Sequence, residues 1–144
     1  MYGKATERQI SAFQDLRTNL EIILKNATGE TLKIPSAIDI SIYDLVNKGI
    51  SFNNMGMYDE AIEYSNKAIS INPELAIAWT NLGLSLCNNG QIDDAVKALN
   101  NAIKIDPACA SAWLNKGLCY DKLERIEEAY QCFNKAAEID KRLY

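Results

Sequence analysis

The chain matches itself when slid by 34 places, and a period of that length leaves few folds open. The shift lays Asn72-Pro73 on Asp106-Pro107, Trp79 on Trp113, and Gly49 on Gly83 and Gly117. It also lays Ala61 on Ala95 and Ala129, Ala68 on Ala102 and Ala136, and Gly56 on Gly90. Three units result, 42–75, 76–109 and 110–143. A segment this short cannot bury an apolar face by itself, so such units must stack, and about three are needed before a continuous core forms.

The matched residues have mechanical reasons, clearest in the second unit. Trp79, Leu82, Gly83 and Leu86 fall at helical spacing and make one apolar stripe, with Gly83 small enough to admit a neighbouring helix at close range. Asn88-Asn89-Gly90 ends that helix, because Gly adopts the left-handed backbone that closes helices and Asn tolerates it better than most. Ile92, Ala95, Val96, Leu99 and Ala102 restart the stripe. Asp106-Pro107 stops it, since proline disfavours the α conformation in the residue before it. Every unit reads as helix, turn, helix, and periodicity alone gives six helices.

On these residues the chain resembles a tetratricopeptide repeat (TPR) protein with three repeats. The family's pattern of Trp-x-x-Leu-Gly-x-x-Tyr, a turn Gly, Ala, an aromatic, Ala and Pro is met in the second unit by Trp79, Leu82, Gly83, Gly90, Ala95, Ala102 and Pro107. In the first unit Gly49, Phe52, Gly56, Tyr58, Ala61, Ala68 and Pro73 agree, while Leu45, Lys48 and Ser65 replace Trp, Leu and the later aromatic. In the third, Trp113, Gly117, Tyr120, Ala129, Phe133 and Ala136 agree, while Lys116, Glu124 and Lys141 replace Leu, Gly and Pro. Glu124 costs about 1 kcal/mol if its φ is positive. The resemblance implies an all-α fold, a short right-handed α-solenoid of antiparallel helix pairs. It further implies a non-enzymatic protein-interaction module or adaptor, since solenoids present a concave surface suited to extended or helical peptides.

In the family the first helix of each pair lines that surface, so residues 34 apart on those helices form rows across it. One row is Asn47, Asn81 and Asn115; a second is Ile50, Leu84 and Leu118, with Val46, Thr80 and Leu114 beside it. The Asn row resembles the asparagine ladder with which some TPR proteins hold extended peptides, each amide offering a donor and an acceptor to the peptide backbone. Asn is also frequent at this place in TPR units generally, where it is a solvated part of the scaffold. Three amide hydrogen bonds supply roughly 2 to 4 kcal/mol, whereas ordering a five-residue peptide costs on the order of 5 to 10 kcal/mol. Apolar anchors buried against Ile50, Leu84 and Leu118 at about 1.5 to 3 kcal/mol each close the gap. The expected ligand is therefore a peptide or helix of a partner protein that carries apolar anchors. Many TPR chaperone adaptors grip a C-terminal Glu-Glu-Val-Asp tail with a clamp of two Lys, one Arg and two Asn. The matching places here carry Val46, Ile50, Asn81, Ser111 and Asn115, so only Asn81 agrees, and on that count a heat-shock chaperone tail is not the expected ligand.

Residues 1–41 lie outside the repeat as an N-terminal amphipathic helix and linker. Ile10, Phe13, Leu16 or Arg17, Leu20, Ile23 and Leu24 recur at steps of three and four, predicting a helix from about Thr6 to Lys25 with Glu21 and Lys25 as an i,i+4 pair. Asn26 to Glu30 reads as its stop and a loop, and Pro35-Ser36 as the opening of the next helix. The stripe has two readings: a cap over the edge of the first repeat, or an element that lies in the groove of its own or a second molecule. At the other end only Ala137 to Tyr144 follow Ala136, which exposes the last pair and suggests a homo-oligomer or a docked partner. A self-assembling structural protein is thus the alternative to the adaptor.

Composition narrows the chemistry. The sequence has no histidine, which removes Ser-His and Cys-His nucleophilic pairs, imidazole metal ligands and imidazole acid/base work together. Asp59-Glu60, Asp93-Asp94 and Glu127-Glu128 recur on the first turn of each second helix, where carboxylates complement the helix dipole. No catalytic residue, cofactor or metal is expected. Cys87, Cys109, Cys119 and Cys132 show no C-x-x-C spacing and read as reduced, packed apolar residues. With 15 Lys plus Arg against 19 Asp plus Glu, the formal charge of -4 offers phosphate backbones no general attraction, so nucleic acid is not an expected partner. No apolar run approaches the roughly 18 to 20 residues that span a bilayer, and the polar start is unlike a secretory signal, so the expectation is a cytoplasmic protein without membrane partners.

Overall fold

The computed structural model describes residues 6–29 and 37–143, with side chains at 6–29 and 41–142. Seven α-helices follow one another among them: α1 Glu7–Thr28, α2 Ala37–Asn54, α3 Tyr58–Ile71, α4 Ala76–Asn88, α5 Ile92–Ile105, α6 Ala110–Lys122 and α7 Ile126–Ile139. A short 3-10 turn closes the series at Lys141–Leu143. The chain divides into two compact units, Met1–Tyr43 and Asp44–Tyr144.

In the first unit α1 is set by a capping box, Thr6 accepting from the Gln9 amide while the Gln9 side chain accepts from the Thr6 amide. The helix runs three residues beyond the Lys25 expected from its stripe. Thr28 stays inside it by donating its hydroxyl to the Leu24 carbonyl at 2.8 Å, and the stop is Gly29 at φ +72°, whose amide closes on the Lys25 carbonyl. Glu21 reaches Arg17 at 4.0 Å. The expected opening at Pro35-Ser36 lies outside the described residues.

The second unit is an all-α solenoid of helix-turn-helix pairs. Within it α4 packs along α5 and α6 along α7, and successive pairs meet through α3 with α4, α5 with α6, and α4 with α6. The core sits at the middle pair: Leu82, Leu86, Cys87, Ala95, Ala98, Leu99 and Ala102 join Ala112 and Cys119 of the next pair. Close approach explains the repeated glycine. A Cβ on Gly83 would stand 2.7 Å from Leu99 Cδ2 and 3.2 Å from the Ala95 carbonyl oxygen, and one on Gly117 would meet the Phe133 ring at 2.6 Å.

The joints between pairs repeat as faithfully as the pairs do. Asn72, Asp106 and Asp140 each accept, at 3.0 Å, the backbone N–H two residues on, which caps the chain as it leaves α3, α5 and α7. Trp79 Nε1 donates to the Pro73 carbonyl at 2.8 Å and Trp113 Nε1 to the Pro107 carbonyl at 3.1 Å. The Trp and the Pro six places before it are therefore one device, a hydrogen-bonded tie between a first helix and the loop that leads into it.

Departures from the repeat are absorbed locally. Ser65, where an aromatic is usual, is buried facing Gly49, and the first pair's ring contact is made by Tyr64, stacked on Phe52 at 5.3 Å. Lys116 lays its ammonium 5.4 Å from the Trp113 ring and 5.8 Å from the Tyr120 ring; Lys48 lies 5.8 Å from the Tyr64 ring and pairs with Asp44 at 3.1 Å. A cation over a ring, with its alkyl stem on apolar surface, is how a Lys stands where Leu is usual. Glu124 does adopt a positive φ, +58°, in the turn where Gly56 and Gly90 stand at +75° and +85°.

Candidate interaction surface

The first helices α2, α4 and α6 carry the residues that the repeat singles out. The packing of α4 on α6 sets those two side by side, and a bond from Asn88 Nδ2 to Asn53 Oδ1 at 3.2 Å joins the end of α4 to the end of α2. On each of them an Asn is followed three places on by a large apolar residue, a spacing that puts both on one side of a helix. Asn47 is exposed and Ile50 half-buried; Asn81 and Leu84 are both half-buried; Asn115 is half-buried and Leu118 exposed. Their neighbours in sequence turn the other way, Leu82 and Gly83 being buried in α4 and Gly117 in α6.

The three amides are not equivalent. Asn81 Nδ2 is shut off from solvent and has no hydrogen-bond partner, as is Ser85 Oγ one turn further along α4. A buried donor without a partner costs about 1 to 3 kcal/mol. Before the Asn81 amide could donate to a ligand it would have to turn about χ2, whereas Asn47 is exposed. The expected row members Val46 and Thr80 are buried, at 3% exposure each, so they support the surface from beneath and do not form part of it.

Exposed ion pairs lie along the helices, as in Lys48–Asp44 and Lys67–Glu63, and at their ends. Arg125 donates to Glu128 at 2.6 Å and holds that carboxyl below the usual carboxylate range, as Arg142 does for Asp140. Among the described residues no group of His, Cys, Asp and Glu is arranged to hold a metal ion. No described helix is long and apolar enough to cross a membrane.

Two tetratricopeptide repeat family models match, over residues 43–75 and 80–142, and the chain belongs to that family. No curated protein matches it in sequence. Among solved structures it is similar to the first TPR domain of the human RPAP3 protein, with 23% identity, a TM-score of 0.67, and coverage of 69% of this chain and 79% of that one. It is similar also to the second TPR of Spaghetti (RPAP3) bound to the HSP90 peptide SRMEEVD, with 22% identity, a TM-score of 0.64 and coverage of 69% and 92%. The first TPR of Spaghetti, bound to the same peptide, matches with 23% identity, a TM-score of 0.65 and coverage of 69% and 79%.

The last two findings correct the exclusion of a heat-shock chaperone tail. That exclusion scored five side chains against one clamp pattern, with Val46, Ile50 and Ser111 counting against it. Domains that share this fold at 22% and 23% identity hold the tail. At such identity most side chains differ while the helices superpose, so mismatch at a few positions does not remove a ligand class from this scaffold. TPR domains are protein-interaction scaffolds, and in these two the partner segment is a chaperone peptide.

Proposed function

We propose that the protein is a non-enzymatic interaction module, an adaptor that holds an extended segment of a partner protein across its first helices on Asn47, Ile50, Asn81, Leu84, Asn115 and Leu118. One observation carries the reading: the pairing of an amide with a large apolar side chain recurs once per repeat and stays within reach of solvent beside residues that are buried. The amides read peptide backbone and the apolar residues supply the anchoring area that amides alone lack. On this reading residues 42–143 form the binding module and 1–41 an accessory segment of a cytoplasmic protein.

The peptide SRMEEVD, held by two proteins of this fold, is the first probe, and a display library of random heptamers is the second. Anisotropy titration is expected to give saturable binding in the micromolar range, about -8 kcal/mol. Asn47→Ala, Asn81→Ala and Asn115→Ala together should weaken it about tenfold or more, and Leu84→Asp with Leu118→Asp should abolish it. Circular dichroism checks that each variant is folded. If neither source yields a peptide that binds, or if binding survives both variants unchanged, the surface is not the working one.

A second reading, self-assembly, is favoured by α1. Phe13, Leu16, Leu20 and Ile23 follow steps of three and four and stand 36%, 69%, 47% and 60% exposed. If that stripe pairs copies of the chain, light scattering will give a mass above 16.1 kDa that Leu16→Glu with Leu20→Glu returns to the monomer.

A further inference from the structure

The second helix of each repeat carries an apolar row on the side that meets the following repeat. Ile62 and Ile69 of α3, and Ile92, Val96 and Ile103 of α5, are partly buried against the core that α4, α5 and α6 build, since α4 lies on α3 and α6 on α5. The matching places on α7 hold Ile126, Tyr130 and Ala137. There Ile126 stands 64% and Tyr130 65% exposed.

The row on α7 has also changed in size. Tyr130 is larger than Ile62 and Val96, whereas Ala137 is smaller than Ile69 and Ile103. Seven places separate the two, so they lie on one side of α7 about two turns apart. A knob and a notch so placed on one helix are complementary to themselves. When two α7 helices meet antiparallel about a two-fold axis near Asn134, Tyr130 of each copy falls on Ala137 of the other. Charge follows the same symmetry. Glu127 is exposed in the first turn of α7 and Lys141 is exposed just beyond its end, and among the described residues neither has an ion-pair partner. The same axis brings the Glu127 end of each copy to the Lys141 end of the other and opposes the two helix dipoles.

The other edge of the solenoid does not suit such a contact. Asp44 and Ser51 of α2 are exposed at the repeat places where Ala78, Ala112, Ser85 and Cys119 are buried, and Asp44 pairs with Lys48 at 3.1 Å. Stacking copies head to tail would take that ion pair out of water. We propose that the free face of α7 is the interface of a two-fold homodimer, in which Tyr130 of each copy packs on Ala137 of the other. An isologous contact of this kind closes at two copies. It uses neither the α1 stripe nor the Asn rows and does not depend on what either of them binds.

Light scattering of the purified full chain at high micromolar concentration should give twice the 16.1 kDa chain mass, falling to the chain mass on dilution. Tyr130→Glu should give the chain mass throughout with an unchanged circular dichroism spectrum, the side chain being exposed, whereas Leu16→Glu with Leu20→Glu should leave the dimer in place. Ala137→Ile restores the residue of the other repeats, fills the notch, and should raise the dissociation constant of the dimer about tenfold. Asn134→Cys should yield, on mild oxidation, a disulfide-linked dimer that the unaltered chain does not yield. A chain that stays monomeric, a dimer that survives Tyr130→Glu or is lost in the α1 variant, a mass that grows beyond two copies, an unchanged constant in Ala137→Ile, or an Asn134→Cys variant that fails to link would each overturn the proposal.

Discussion

The second and third repeats share a plan and differ in how much of it is covered. Helix α4 buries seven residues, Ala78, Thr80, Leu82, Gly83, Ser85, Leu86 and Cys87, whereas its counterpart α6 buries only Ala112, Gly117 and Cys119. The difference continues in the second helices. Leu99 of α5 is fully buried and Val96 is packed on the core, while at the same repeat places Phe133 of α7 is half-buried and Tyr130 is 65% exposed. Neighbours on both sides, not the repeat's own sequence, turn an apolar stripe into a core. Residues that break the pattern, Lys116 and Glu124, fall in the third repeat, where a charged head or a strained turn still reaches solvent.

The sharpest way to break that comparison is to delete the same contact in both places. Leu99→Ala should cost about 3 to 4 kcal/mol in urea unfolding, a buried Leu leaving a cavity, and Phe133→Ala about 2 kcal/mol because the ring, although packed on Gly117, is not fully covered. Equal losses would mean that the third repeat is as firmly packed as the second. A smaller effect of opposite sign follows at the turns. Gly90→Glu should destabilise by about 1 kcal/mol and Glu124→Gly should stabilise by up to the same amount, since each exchanges a side chain at positive φ; two changes of like sign would sink the account of Glu124 as strained. Smallest is the Arg125–Glu128 pair, whose counterparts in the second repeat are Gln91 and Asp94. Arg125 lowers the Glu128 carboxyl below its usual 4.5, so the pair's contribution is complete above that pH and is lost as pH falls through the lowered value. Glu128→Gln should therefore lower the thermal midpoint slightly at pH 7 and not at about pH 2. A difference that persists in acid would show that something other than charge is involved.

Most of the fold was legible because the repeat writes each element three times. Helix ends at Asn88 and Ile105 fall where Gly90 and Pro107 require, and the positive φ of Glu124 was foreseeable from the glycines at its register. What the period could not give was anything outside its register. Helix α1 has no second copy to compare, and its end depends on Gly29 and on a Thr28 hydroxyl turned back on its own helix. Cys87 and Cys119 are 32 places apart, so a slide of 34 never superposes them, and their place in one core cluster arises only when two helices pack. The buried Asn81 amide was hidden for a related reason: a polar residue's place on a helix is visible in sequence, but the side of the amide that faces inward is set by the neighbours. The chaperone tail is not legible from the clamp positions Val46, Ile50 and Ser111, because the scaffold is shared far more widely than those side chains.

The indole ties at Trp79 and Trp113 have one more consequence, an optical one. They are the only two tryptophans in the chain, and each is fastened to a different joint, Trp79 to the loop after α3 and Trp113 to the loop after α5. Intrinsic emission is thus a pair of site-labelled gauges that needs no added dye. A single Trp→Phe exchange leaves the remaining indole reporting whether its own seam between repeats is closed.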